Sequence, residues 1–125
     1  MKRGRIGISL LLILLVLGLL AAFYMTGMED ISQTVRSAAA LAGNEDWEGA
    51  QRLLRKANKD WHSRRHFTAC LTDHGTLEEI DSMLSQLEVY RKHRETLPFV
   101  TLCTQLEHRL RDLSEAQKLT WWNVL

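Results

Sequence analysis

The sequence predicts an all-α protein: a single N-terminal transmembrane helix followed by a small antiparallel bundle of about four helices. Three observations carry this. Between Arg5 and Glu29 run 23 residues without a charge, Ile6 to Met28, dominated by Leu, Ile and Val. Beyond them Pro and Gly are scarce, and apolar residues recur at intervals of three and four, the spacing that gathers them on one face of a helix. No alternating pattern of the kind a half-buried strand requires competes with it.

The uncharged run, residues 6–28, is expected to span a membrane. At ~1.5 Å rise per residue a helix of that length covers the ~30 Å of a bilayer's hydrocarbon core. A cleaved leader has a similar basic start, but its apolar stretch is usually ~7–15 residues and ends in a small-x-small site. Cuts after Ala21 or Ala22 would instead leave Leu19 or Leu20 three residues from the bond. No Cys follows the run directly, which removes a lipoprotein anchor. Lys2, Arg3 and Arg5 supply the topology signal, because the first basic residue on the other side is Arg36, preceded by Glu29 and Asp30. The positive-inside rule keeps the basic flank 1–5 in the cytoplasm and sends the rest outside a cell membrane crossed once.

That topology makes cytosolic nucleotides, nucleic acids and NAD-type cofactors poor candidates, and no cofactor is expected. Beyond the span, 13 Lys and Arg stand against 15 Asp and Glu, a net charge of −2. Nothing in that balance suggests a nucleic-acid partner.

The bundle is expected over 29–118. Glu29 to Ala42 forms its first helix, with Ile31, Val35, Ala38, Ala39 and Ala42 inward and Gly43-Asn44 ending it. Asp46 is placed to cap a second helix, whose stripe Trp47, Ala50, Leu54, Ala57, Trp61, Arg64, Thr68, Leu71 is broken only by Arg64 and Thr68. After a turn at Asp73 to Gly75, Thr76 and Glu79 have the spacing of a capping box opening a third helix. Leu77, Ile80, Leu84 and Leu87 are its inward stripe. Leu97-Pro98 separates it from a fourth helix carrying Phe99, Leu102, Leu106, Leu110 and Leu113, since proline suits a helix's first turn. Residues 119–125 are expected as a tail packed on the bundle or at the membrane interface.

The segment Ala40 to Ala57, ALAGNEDWEGAQRLLRKA, resembles the centre of a tetratricopeptide repeat. No second copy follows at the ~34-residue period, so an ordinary helical hairpin is preferred. The whole chain resembles a small bacterial family classed as domain of unknown function 4363, short N-terminally anchored helical proteins. The anchor, Trp47 and Trp61, the segment DHGTLEEI from Asp73 and the ending LSEAQKLTWWNVL from Leu113 carry the likeness; the doubled Trp121-Trp122 departs from the family's usual tail. The resemblance implies architecture and no catalytic residue, because the family has no assigned activity.

Several constellations look chemical and have plainer explanations. His62 and His66 have metal-ligand spacing, but they fall on the outer face with Arg64 and Arg65 between them, and no local carboxylate completes a site. His74 is expected to cap the end of helix two. Cys70 and Cys103 fall at opposite ends of an up-down bundle, beyond the ~7 Å that a disulfide allows. Glu78, Glu79 and Asp81 suit the first turn of helix three through its dipole. No catalytic residue and no metal site is assigned, and the chain is not expected to be an enzyme.

The basic series Arg52, Arg55, Lys56, Lys59, Arg64 and Arg65 on helix two is more suggestive. Helix two outlasts helix one by about ten residues, ~15 Å at helical rise, so the chain is expected to bend at Thr26-Gly27 to keep this charged end out of the bilayer. Arg64, Arg65, Trp121 and Trp122 would then meet lipid head groups. Two functions stay open: a non-catalytic module binding a polytopic membrane protein or envelope component, and an anionic-lipid sensor or stabiliser using the basic helix and the two tryptophans.

Overall fold

The apolar face expected for helix one and the uncharged run before it lie on one uninterrupted helix. In the computed structural model, which describes residues 2–70 and 72–124 and their side chains except at 2, 3, 21, 23–26, 120–122 and 124, helix α1 extends over Lys2–Gly43. It is followed by α2 (Trp47–Ala69), α3 (His74–Lys92) and α4 (Thr96–Val124), with no strand among the described residues. Helix α1 packs on α2 and α4, and α3 packs on the same two, so α1 and α3 stand at diagonal corners of an up-down-up-down bundle. All-α antiparallel architecture is therefore as expected.

The inward stripes close one core. Ile31, Val35, Ala38 and Ala42 from α1 meet Ala50, Leu54, Ala57 and Trp61 from α2, Leu77, Ile80, Leu84 and Leu87 from α3, and Phe99, Leu106 and Leu110 from α4. At the far tip the rings of Trp47 and Phe99 meet edge to face, 5.4 Å apart at 79°. Each of these side chains contributes ~1.5–3 kcal/mol if large and fully buried, which makes this face-to-face burial the main stabilising effect.

The helix ends differ from expectation in instructive ways. Helix α1 does not stop because of Gly43 and Asn44 alone. Glu45 takes a left-handed φ of 62° while its N–H bonds Ala42 O at 3.0 Å and the Asp46 N–H bonds Leu41 O at 2.8 Å, the paired 5→2 and 6→1 closure of a Schellman ending. Arg94, at φ 55°, ends α3 in the same manner, with Arg94 N–H on Arg91 O and Glu95 N–H on Tyr90 O. Asp46 caps α2 as expected, its Oδ1 accepting from Gly49 N–H at 3.0 Å.

The capping box at Thr76 is not formed. Helix α3 begins at His74 with Asp73 as its N-cap residue, and the Thr76 hydroxyl donates to Asp73 Oδ1 at 2.6 Å. The Asp73 carboxylate captures the hydroxyl that would otherwise have turned to a backbone N–H. His74 consequently opens α3 and does not cap α2, which ends at Ala69 with Cys70 as its C-cap. Pro98 lies in the first turn of α4, where its missing N–H costs nothing. Of the expected tail 119–125, residues 119–124 continue α4 as helix, and Leu125 lies outside the described residues.

Helix α1 is not interrupted at the expected hinge Thr26-Gly27, and the bundle packs on it there. Gly27 is buried and Met28, at 1% exposure, belongs to the core, so the bundle begins inside the uncharged run and not at residue 29. Antiparallel pairing of Gly27 with Arg64 and Leu41 with Gly49 brings the last turn of α2 beside α1 near Ala22. Pairing of Glu29 with Lys118 at 3.5 Å and of Arg36 with Glu107 brings the end of α4 to a similar level. What projects past the bundle is residues 4–20, exposed around every side of the helix. Among the described residues no helix is long and apolar enough to cross a membrane.

Candidate functional site

The base of the bundle, where α1 emerges, holds Arg64 and Arg65, two of the residues singled out as a possible surface for lipid. Arg64 occupies the inward stripe of α2, and its guanidinium lies over Gly27 so closely that a Cβ there would collide with Cζ and both terminal nitrogens. The stripe spacing marked Arg64 as an interruption; the glycine opposite is what accommodates it. Arg65 turns the other way, to Asp81 on α3, with Nε to Oδ2 at 3.0 Å and Nη2 to Oδ2 at 2.9 Å. It is thus committed to an interhelical ion pair and does not stand as a lone surface cation. The side chains of Trp121 and Trp122 lie outside the described residues.

Asp81 also accepts a hydrogen bond from the indole Nε1–H of fully buried Trp61, at 2.7 Å. Partial burial would raise the Asp81 pKa, but the donors from Trp61 and Arg65 outweigh it and hold the carboxyl below its ordinary value. Glu79 pairs with Arg109 of α4 at 2.9 Å. The acidic cluster on α3 therefore fastens α3 to α2 and α4, a role that spacing along α3 alone could not reveal.

One end of the core is polar. Thr68 is fully buried, Gln117 is 2% exposed and Ser114 4%, and Ser32 is buried on the facing side of α1. Gln117 Nε2 donates to Thr72 Oγ1 at 3.3 Å, and Thr68 Oγ1 donates to Arg64 O at 2.8 Å. Ser114 Oγ and Gln117 Oε1 are buried with no hydrogen-bond partner among the described residues. The series Leu106, Leu110, Leu113, Gln117 keeps the three-four spacing and would have placed Gln117 inside. Beside it a groove of about 280 Å³ opens between α1 and α4, with Met28, Ser32 and Ser114 among its walls and Glu29, Arg36, Arg111 and Lys118 around it. Glu107 bridges the two arginines, bonding Arg36 and, at 2.8 Å, Arg111.

These residues belong to a domain with a known outline. A family model described as Domain of unknown function (DUF4363) matches residues 24–124. The chain belongs to the DUF4363 family. No curated protein and no solved structure matches it. The DUF4363 match begins within the uncharged run, close to where α2 and α4 first flank α1, so family and bundle share nearly the same boundaries; the exposed stretch 4–20 lies outside the match.

The remaining candidates are dispersed over this DUF4363 bundle. His62 and His66 are exposed on the outer face of α2, and among the described residues no three His, Cys, Asp or Glu side chains gather at a metal-sized site. Cys70 is exposed and Cys103 is buried in the core, both as thiols. Burial, with Glu107 nearby, pushes the Cys103 thiol up to about 12, which keeps it protonated and unreactive at neutral pH. Arg52, Arg55, Lys56 and Lys59 are exposed, and Lys56 reaches Asp60 at 3.9 Å along the helix.

Proposed function

We propose that this DUF4363 protein is a non-catalytic helical module held at a cell membrane by the first half of α1, with its bundle outside. Its helix faces would bind a polytopic membrane protein or an envelope component. The observation that carries this is the stretch 4–20, which projects beyond the bundle with Ile6, Leu11, Leu15 and Leu19 each 58–70% exposed and no neighbouring helix to cover them. In water such a surface is costly at ~25 cal/mol per Å² of apolar area, and lipid removes that cost. Lys2, Arg3 and Arg5 favour a cytoplasmic N-terminus.

A non-enzymatic role is favoured because the carboxylates Glu79, Asp81 and Glu107 are each held in an interhelical ion pair, which accounts for them without chemistry. The anionic-lipid reading loses support where it leaned on Arg65, which is bound to Asp81.

The chain carries its own topology reporter. Alkaline extraction of native membranes should leave it in the membrane fraction, and an impermeant maleimide added to intact cells should label exposed Cys70. Release by alkali would overturn the anchor, and labelling only after permeabilisation would overturn the orientation. Crosslinking in the same membranes should then capture a membrane or envelope protein.

A further inference from the structure

Four large apolar side chains of the bundle stand exposed among the described residues, and they divide between its two ends. Val89 and Leu97 lie near the α3–α4 turn at the tip, whereas Phe67 on α2, at 43% exposure, and Leu119 on α4, at 66%, lie at the base. In the observed register Phe67 is level with α1 about four residues beyond Leu20 and Leu119 about four to eight, ~6–12 Å at helical rise. Phe67 and Leu119 therefore stand at the end of the bundle nearest the exposed apolar stretch 4–20, where a head-group layer roughly 5–7 Å deep borders the hydrocarbon core of any bilayer that stretch enters.

We infer that Phe67 and Leu119 seat the base of the bundle in the lipid interface, through apolar contact that does not depend on anionic lipid. This rests on the membrane-anchored reading above. The charge around the base supports the second half of the statement. Arg64 is packed over Gly27, Arg65 is paired with Asp81 and Lys118 with Glu29, while Asp30, Asp73 and Glu115 are exposed at the same end. That surface has no cationic excess with which to select anionic head groups. Two apolar contacts on different helices, added to the anchor, would fix the tilt of the bundle on the membrane and so the direction in which its tip points.

Cys70, one residue past α2 and three past Phe67, is an exposed probe at the required place, and Cys103 is buried and silent. The full chain is labelled at Cys70 with an environment-sensitive fluorophore and reconstituted into vesicles of phosphatidylcholine alone or mixed with phosphatidylglycerol, each carrying nitroxide lipids at head-group depth. Quenching and a blue-shifted emission are expected in both compositions. Both should be lost in the Phe67→Ser, Leu119→Ser double variant and retained in the Val89→Ser, Leu97→Ser control. Equal quenching in the two variants, or quenching that requires phosphatidylglycerol, would overturn the seat while the protein still floats with the vesicles. Failure to float at all would overturn the anchor, and the seat with it.

Discussion

Gly27 of α1 lies directly beneath the guanidinium of Arg64 on α2. The absence of a side chain at 27 admits a cation into a stripe otherwise filled by Leu54, Ala57, Trp61 and Thr68. A glycine serving as a hinge and one serving as a socket respond differently to alanine. A Cβ in a helix interior is worth ~1 kcal/mol in propensity, so alanine at a hinge would stabilise whatever stood at position 64. Here Gly27→Ala should destabilise the full chain by about 1 kcal/mol, because the new Cβ would collide with the Arg64 guanidinium and overpacking of this kind costs ~1–3 kcal/mol, more than the propensity gained. In an Arg64→Gln background the same change should stabilise. The measurement is a double-mutant cycle by urea denaturation in detergent, and a sign that does not reverse would return Gly27 to the role of hinge.

Arg94 ends α3 with a φ of 55°, a conformation that costs an L-residue ~1–2 kcal/mol and glycine almost nothing. Arg94→Gly should therefore raise stability by roughly 0.5–1 kcal/mol after allowance for glycine's greater freedom in the unfolded chain. The readout is the denaturation midpoint with unchanged slope. Loss of stability would mean that the Arg94 side chain makes a contact outweighing its backbone strain.

Ser114 Oγ is buried without a partner among the described residues. A buried hydroxyl left unsatisfied costs ~1–3 kcal/mol, so Ser114→Ala should stabilise by about 1 kcal/mol, with helix propensity acting in the same direction. A fall in Tm on this substitution would instead reveal a water or ligand bound in the groove between α1 and α4.

The two thiols should separate kinetically. Cys70 reacts in the folded protein, while Cys103, at 1% exposure and with its thiol pushed up to about 12, reacts only through unfolding. The folded pKa is raised, so the protonated thiol's contribution is fully present below the ordinary value of 9.0 and is lost as pH rises from there towards 12. Thiol titration in native buffer should give fast labelling of Cys70 alone, and Cys103 should appear with urea. Comparable labelling of both in native buffer would show that the α4 packing opens far more readily than the core implies.

How far the sequence could be read depended on whether one helix sufficed to decide a feature. The stripes Ile31 to Ala42 and Leu77 to Leu87 were legible because apolar spacing is a property of the helix itself, and so was the Asp46 cap, whose partner Gly49 is three residues away. Arg64 was visible as a break in a stripe, but its destination required knowing that Gly27 stands opposite. The start of α3 was misplaced because Asp73 and Thr76 both carry capping groups, and their mutual hydrogen bond decided between them. The bend at Gly27 was inferred from unequal helix lengths on the premise that the bundle begins after the uncharged run; Met28 in the core removes that premise. The roles of Glu79, Asp81 and Glu107 lie wholly in cross-helix partners and left no trace in spacing.

Asp81 joins Trp61 of α2 and Arg65 of α2 to α3 through one carboxylate, and this gives its removal a pH signature. Asp81→Asn keeps a similar shape but loses the charge that both donors address, so it should cost about 1–2 kcal/mol at neutral pH, the scale of charge-assisted hydrogen bonds in a partly exposed site. Burial opposes ionisation of Asp81, yet the donors from Trp61 and Arg65 prevail and its folded pKa is lowered. A lowered folded pKa means that the stabilisation is present above the ordinary value of 3.8 and is lost as pH falls through the folded one. Urea denaturation of the wild type and the variant should thus show a constant gap at and above neutral pH that narrows as the pH falls below 3.8. A gap that persists at the lowest pH the fold survives would assign Asp81 to packing, and leave the Arg65 pair as a contact without energetic weight.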